Sequence, residues 1–244
     1  VKYDCNLFVS MSFNQIFKEE ILNIPPLGII NCHAGALPFY RGRNILNWAL
    51  INDENEFGIT VHYVDKSIDT GDIILQKKYT ISDTDNYNTL LKRASVYCGE
   101  ILYESLLKIY NDDVEAIPQS SIDKIGSYCR IRKEGDEWID WRWSSRKIFN
   151  FIRAITFPGP LARCTMNDEV IFVQSSIISN LEFANLARPG EITAKTDNSI
   201  IVQTGDGNLE LYDDFLLLSN DKDDKQPISF NKLQIGMTFA GDTH

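Results

Sequence analysis

The stretch "IINCHAGALPFYRGRN", Ile29 to Asn44, decides how the first half of this chain is read. Two β-branched residues run into Asn31, Cys32 and His33, and small residues and Pro38 then end the run ahead of Arg41 and Arg43. The pattern predicts a buried strand over "GIINCHA" that delivers an amide and an imidazole at its end. Side chains two apart on a strand point to the same side, so Asn31 and His33 share a face and Cys32 takes the other. A basic turn follows, and Asn44 is the expected cap of a helix over "NILNWALIND".

Working outward, "YDCNLFVS" (3–10) reads as a short strand and "FNQIFKEEIL" (13–22) as a short helix that "NIPPLG" breaks. "FGITVHYVD" and "DIILQKKYTI" read as two further strands. A long helix from Asp85 to Tyr110 keeps the three-four spacing through Leu90, Leu91, Ala94, Cys98, Ile101, Leu102, Ser105 and Ile109. Strands alternating with helices indicate an α/β domain, placed over 1–115. The chain contains no G-x-G-x-x-G, so nothing supports a dinucleotide fingerprint. Turn formers and mixed charge mark 116–138 as a linker. A second domain over 139–244 opens with a helix capped by Ser144. It continues in short strands ("EVIFVQSSII", "EITAKT", "SIIVQTGDG", "NLELYDDF"), the pattern of a small β-barrel. The Asp-rich "NDKDDKQ" (220–226) reads as a solvated loop.

The 244 residues are 43% apolar and 24% charged, values of an ordinary globular protein with material for a sizeable core. No run of about 18 apolar residues is present, so no membrane span is expected. The formal charge of −10 argues against a nucleic-acid partner, which needs a basic field to displace counterions from phosphate. Five cysteines without C-x-x-C spacing and only three histidines make neither a disulfide framework nor a metal site, and a reducing, cytoplasmic setting fits best. The sequence begins at Val1 without an initiator methionine, so the numbering is expected to start inside a longer gene product.

Ligands of open α/β sheets bind beyond the carboxyl ends of strands. Asn31 and His33 lie at one such end, and "DKSIDTGD" brings Asp65, Asp69 and Asp72 after another. If the two strands are neighbours, a carboxylate from this loop reaches the imidazole. An amide, an imidazole and a carboxylate make a working set for acyl transfer to an amine. The imidazole accepts the proton that the amine must lose, the amide stabilises the oxyanion by about 3–4 kcal/mol, and the carboxylate orients the imidazole. No positioned Ser or Cys nucleophile accompanies them, which favours direct attack by the substrate. Taken singly, each feature has an ordinary reading: a strand-end His is more often structural than catalytic, D-T-G-D is an ordinary turn, and His62 in mid-strand is a packed residue.

Taken together, "NCHAGALPFYRGR" followed by "GITVHYVDKSIDTGDIILQ" resembles the folate-dependent formyltransferase family. A strand-end N-x-H, an L-P-x-Y/W-R-G loop and an L/I-D-T-G-D loop carry the resemblance. Asn31, His33 and Asp69 fall on that family's catalytic asparagine, histidine and aspartate. His33 and Asp69 stand 36 positions apart (33 to 69), as in the methionyl-tRNA formyltransferase branch. The likeness continues through "RKEGDEWIDWRWSSRKIFNFIRAITFPGP". It implies a Rossmann-like α/β catalytic domain followed by a small β-rich, OB-like barrel domain, with a dimer through the C-terminal part. It also implies N10-formyltetrahydrofolate as the formyl donor, held by backbone around Val64 and Asp65 and by the Asp69–Asp72 loop with Thr70 and Gly71. The family's first β-α units have no counterpart here, so either the numbered chain omits an N-terminal part or it is a fragment with an incomplete cofactor pocket.

"HAGALPFYRGRNILNWAL" is most similar to the sugar N-formyltransferases of surface-polysaccharide (O-antigen) synthesis. The resemblance therefore implies a dTDP- or other NDP-linked amino-dideoxysugar as substrate. Its diphosphate calls for cations, with Arg41 and Arg43 or the group Arg130, Arg132 and Lys133 as candidates and Tyr40 as a rim residue. Methionyl-tRNA formylation and a non-catalytic binding module are the alternatives. The first would fall steeply with salt, and the second would bind no folate.

Overall fold

The structure is a computed structural model that describes residues 4–13, 15–181, 187–212, 216–221 and 224–241. It divides into two compact units. The first comprises Val1–Ala49, Glu54–Asp83 and Thr89–Arg132, the second Leu50–Asp53, Thr84–Asn88 and Lys133–His244.

Up to residue 132 the elements follow in the order β1 (Phe8–Met11), α1 (Glu19–Leu22), β2 (Ile29–His33), β3 (Arg41–Gly42), α2 (Ile45–Ile51), β4 (Glu56–Tyr63), β5 (Ile73–Thr80), α3 (Tyr87–Tyr110), α4 (Gln119–Ile122) and β6 (Tyr128–Cys129), all in the first unit except the last two residues of α2 and the first two of α3. The main sheet has the order β1-β2-β4-β5. β1 runs parallel to β2, while β2–β4 and β4–β5 are antiparallel. β4 is buried at every position from Phe57 to His62, so it carries the sheet's core. On α3 the buried positions are Leu90, Ala94, Cys98, Ile101 and Ser105, the inward stripe that the three-four spacing requires.

Three expectations change. The helix expected over 13–22 shrinks to the four residues of α1. Lys18 at its start offers no side-chain cap and none of its residues is buried, so no apolar face sustains a longer helix. Asn44 does precede α2, but its φ is +56° and its Oδ1 accepts the Arg132 amide at 2.9 Å. The stretch read as a linker is bound into the first unit as far as Arg132. Ile117 exchanges both backbone bonds with Ile73, and β6 pairs in parallel with β3. Backbone and side-chain hydrogen bonds, which leave no hydrophobic period, hold that segment in place.

The second unit contains α5 (Ser145–Ile155), β7 (Ala162–Met166), β8 (Glu169–Val173), β9 (Ile177–Ser179), β10 (Ile192–Lys195), β11 (Ser199–Gln203), β12 (Asn208–Tyr212), β13 (Leu216–Asp221) and β14 (Asp224–Pro227). The strands form two antiparallel four-stranded sheets, β10-β11-β12-β9 and β14-β13-β8-β7. Ser144 caps α5, its side chain accepting from the Lys147 amide. "EVIFVQSSII" is two strands of different sheets rather than one. Of the acidic "NDKDDKQ" read as a loop, 220–221 end β13 and 224–226 belong to β14, the two strands pairing in register from Leu217↔Pro227 to Asp221↔Asp224, while 222–223 lie outside the described residues. Of the strand expected over "NLELYDDF", 213–215 lie outside the described residues.

Candidate active site

β2 and β4 are neighbours in the register Asn31↔His62 and His33↔Thr60. That register sets Asn31 and His33 on one face. Cys32 turns away, its Sγ 3.7 Å from the Cys98 carbonyl of α3. The neighbouring Cys98, together with burial, pushes the Cys32 thiol up, and its side chain faces α3 rather than the side that carries Asn31 and His33.

After β4 the chain turns through "DKSIDTGD", where Asp65 Oδ1 accepts from the Ser67 amide at 3.0 Å and the Thr70 hydroxyl at 2.6 Å. The turn brings Asp69 back over the sheet with φ +54°, a left-handed conformation that costs a non-glycine residue about 1–3 kcal/mol. Asp69 Oδ2 then lies 3.6 Å from His33 Nδ1 and accepts the Gly42 amide at 2.9 Å. Its other oxygen, Oδ1, lies 3.7 Å from His62 Nε2. Gly71 must be glycine, because a Cβ there would lie 1.9 Å from the Tyr63 carbonyl oxygen.

His33 is 8% exposed and both of its nitrogens face acceptors: Nδ1 faces Asp69, and Nε2 donates to the Tyr40 carbonyl at 2.7 Å. Burial pushes its pKa below the ordinary imidazole value, against the opposing pull of the Asp69 charge and the Tyr40 carbonyl. For Asp69, burial favours the neutral acid. The His62 hydrogen bond, the His33 charge and the Gly42 amide outweigh it and hold the carboxyl at about 2. At neutral pH the pair is therefore a carboxylate beside an imidazole that gives up its proton readily. Gly35 lets the loop fold over the ring, since a Cβ there would stand 2.5 Å from His33 Nε2.

Two members of this cluster have no counterpart among the sequence candidates. His62 is 2% exposed, and besides facing Asp69 its Nε2 lies 3.3 Å from Asn31 Nδ2, while Nδ1 donates to the Tyr63 carbonyl at 2.7 Å. It is packed, as expected of a mid-strand residue, and it also belongs to the polar cluster. Only the β2–β4 register, which pairs it with Asn31, would have revealed this. Gln119 is 3% exposed and donates from Nε2 to the Asp69 carbonyl at 2.9 Å and the Gly71 carbonyl at 2.8 Å.

Arg41 is corrected as a diphosphate ligand. It is 7% exposed, with Nε and Nη2 on Gln119 Oε1 at 3.0 and 2.7 Å and Nη1 on the Ile125 carbonyl at 3.1 Å. Its donors are turned inward, so it braces the turn. Tyr40 uses its polar groups internally as well, its hydroxyl donating to Glu54 at 2.5 Å, and so offers a substrate only its ring. Arg43 is exposed. The guanidinium groups of Arg130 and Arg132 lie 5.3 and 5.9 Å from the centroid of the Trp48 ring, a cationic and aromatic patch in which Arg130 is exposed and Arg132 and Trp48 are half-buried. Lys133 opens the second unit, its amide donating to Asp136 at 2.8 Å.

For a folate, the loop after β4 offers backbone of both polarities. Among the described residues the Val64 carbonyl and the Asp65 amide and carbonyl enter no backbone hydrogen bond, whereas the Val64 amide is spent on the Ile29 carbonyl. Asp72 is exposed and its carbonyl is taken by the Tyr63 amide. Donor and acceptor groups side by side fit the amide-like edge of a pterin. Among the described residues no group of three His, Cys, Asp or Glu side chains could hold a metal, and no helix is long and apolar enough to cross a membrane.

Comparison with known proteins assigns the class. The formyl transferase profile matches residues 1–106, and that of the formyl transferase C-terminal domain matches residues 130–215. A methionyl-tRNA formyltransferase of Staphylococcus aureus is 35% identical over 217 residues, 89% of this chain and 68% of the relative. The chain belongs to the formyl transferase family. The corresponding enzyme of Staphylococcus epidermidis is 36% identical over 202 residues, and there the chain spans 63% of the relative's length. Among solved structures, the sugar 3N-formyl transferase WlaRD, crystallised with dTDP and 5-N-formyl-THF, superposes with TM-score 0.65 at 25% identity over 88% of this chain and 73% of that one. An N-formyltransferase of Helicobacter canadensis shares the fold, with TM-score 0.65 at 24% identity over 84% of this chain and 72% of that one. The expected fold class, an α/β formyltransferase unit followed by a β-rich one, holds.

Proposed function

We propose that this chain transfers a formyl group from N10-formyltetrahydrofolate to the amine of an NDP-linked, dTDP-type amino-dideoxysugar. The observation that carries the formyl-transfer reading is the convergence of Asn31 and His33 with Asp69, 38 and 36 residues further along the chain (31 to 69 and 33 to 69), at the end of β2. The folate supplies the formyl group and accepts the departing electron pair; the chain's residues do the rest. Asn31 presents an amide N–H to the oxygen on which charge develops. In the structure the His33 proton on Nε2 is donated to the Tyr40 carbonyl. With the neutral ring's proton shifted to Nδ1, 3.6 Å from Asp69, Nε2 exchanges that carbonyl for the amine, takes its proton and passes it to the departing nitrogen. Asp69 stabilises the imidazolium so formed. Val64 and Asp65 backbone, with Thr70, Gly71 and Asp72, hold the pterin.

The sugar substrate is supported by the likeness to WlaRD and its dTDP, and by the charge of −10. Arg43, Arg130 and Arg132 are the proposed diphosphate ligands, with Trp48 available to a base; Lys133 joins them by its place in the sequence alone. A homodimer, a role in surface-polysaccharide synthesis and a cytoplasmic location complete the proposal, the last in keeping with five free cysteines. Methionyl-tRNA is the second reading, favoured by the 36% identity to the staphylococcal enzyme. Incubating the chain with formyl-folate and either a panel of NDP-amino sugars or charged initiator tRNA separates them. The proposal expects one formyl mass on a sugar, at a rate nearly independent of salt. Formylation of tRNA alone, falling steeply with salt, would replace it.

A further inference from the structure

Two separate loops supply the partners of His33: the turn at 40–42 gives the Tyr40 carbonyl and the Gly42 amide that steadies Asp69, and the turn at 65–72 gives Asp69 itself. Both Tyr40 and Asp69 sit at positive φ, +57° and +54°, so each loop is held in a conformation its own residues disfavour. One side chain is bonded to both loops. Gln119 donates from Nε2 to the Asp69 and Gly71 carbonyls, and its Oε1 accepts two N–H groups of Arg41, in the turn between Tyr40 and Gly42. All four contacts lie between 2.7 and 3.0 Å. The Arg41 guanidinium is tied in turn to the Ile125 carbonyl, and it lies 5.3 Å from the centroid of the Tyr128 ring.

We propose that Gln119 is a positioning residue for formyl transfer, a clamp that fixes the spacing of the two loops and thereby the place of Asp69 against His33. The proposal rests on the formyl-transfer reading for its kinetic consequence and on geometry alone for its structural one. An amide is the side chain that fits: it must donate twice towards carbonyls and accept twice from a guanidinium, and only Gln or Asn does both. A glutamate would keep the Arg41 pair but turn a carboxylate on two carbonyl oxygens.

The test is Gln119→Glu in the full chain, read in two ways. The first is the kcat and KM of formyl transfer. Displacing a reacting geometry by the order of 1 Å costs about 10²-fold in rate, so kcat is expected to fall by about that factor while KM for the amine stays near wild type and KM for folate, whose proposed loop moves with Asp69, changes by less than kcat does. The second is the titration of His33 by NMR, resolved from only two other histidines. The groups facing His33 are Asp69, His62 and the Tyr40 carbonyl. The carboxylate that Gln119→Glu adds would itself favour the charged ring, so the titration is read in Gln119→Asn, where no charge is added and the ring is expected to titrate at lower pH than in the wild type as the Asp69 charge draws away. A purely structural glutamine would lower the melting temperature and leave both readings unmoved, and that result overturns the proposal. Gln119→Asn, which keeps the amide but is one methylene too short to span both loops, carries the titration and gives the kinetic reading as well should the glutamate variant not fold. The titration needs no substrate, so a shifted His33 in a chain that transfers no formyl group would retain the clamp and remove the formyl-transfer reading.

Discussion

Around the end of β2 the first unit sets two buried imidazoles against a half-buried carboxylate and a half-buried amide, with separations of 3.3–3.7 Å. The second unit, around α5 and β11, buries Ile148, Ile152, Ile155, Ile200 and Val202 with no exposed surface at all. In the apolar region each side chain is interchangeable in kind, and its contribution is transfer free energy and packing. In the polar region each atom has specific partners, and Asp69 and Tyr40 are held at positive φ to provide them. The contrast separates where this chain spends strain from where it gains stability. Changes in the polar cluster should fall on rate, and changes in the apolar core on folding.

The largest effect expected of that contrast is kinetic. Asn31→Ala should slow formyl transfer by about 10²–10³-fold, the cost of removing one oxyanion donor, while folate affinity by calorimetry and the melting temperature stay close to wild type. Next comes the converse. Ile152→Ala, at a position with no exposure, should cost about 2–5 kcal/mol in denaturant unfolding with the turnover per folded molecule unchanged. A loss of turnover there equal to that of Asn31→Ala would break the contrast.

A smaller effect ties the polar cluster to stability through pH. Asp69 titrates at about 2 in the fold against 3.8 for the free group, a difference of about 2 kcal/mol. Its contribution is present in full above the unfolded value and is lost as pH falls through about 2. His33, lowered by burial, acts in the same direction. Below its unfolded value of about 6.5 the unfolded chain takes up the proton first, so stability present above that pH declines as pH falls towards the folded value. Unfolding measured from pH 7 to 2 should therefore weaken steadily with acid, and Asp69→Asn should flatten the profile at its acid end.

Sequence alone carried the strand–loop skeleton and the three residues of the proposed site. Asn31 and His33 are two apart on one strand, and Asp69 lies in a loop punctuated by Gly71. His62 stayed hidden because its role depends on the β2–β4 register, which neither strand encodes by itself. Gln119 stayed hidden for another reason: it lies 50 residues from Asp69, in a segment without hydrophobic period, and acts through hydrogen bonds that leave no pattern. Arg41 misled because a basic residue after a catalytic strand reads the same whether its guanidinium faces solvent or a buried amide. In the second half, alternation located β8 to β12 but not β7, whose "ARCTM" contains one β-branched residue and no aromatic one, nor the pair β13 and β14, whose acidic residues read as loop.

The central claim, that His33 manages the proton of the attacking amine beside Asp69, is tested most directly by single-turnover formyl transfer in wild type and His33→Ala at matched folate occupancy. The account predicts that folate still binds and that the formyl group stays on it, with the transfer rate reduced by about 10²–10⁴-fold. Transfer at a near-normal rate in His33→Ala would contradict it.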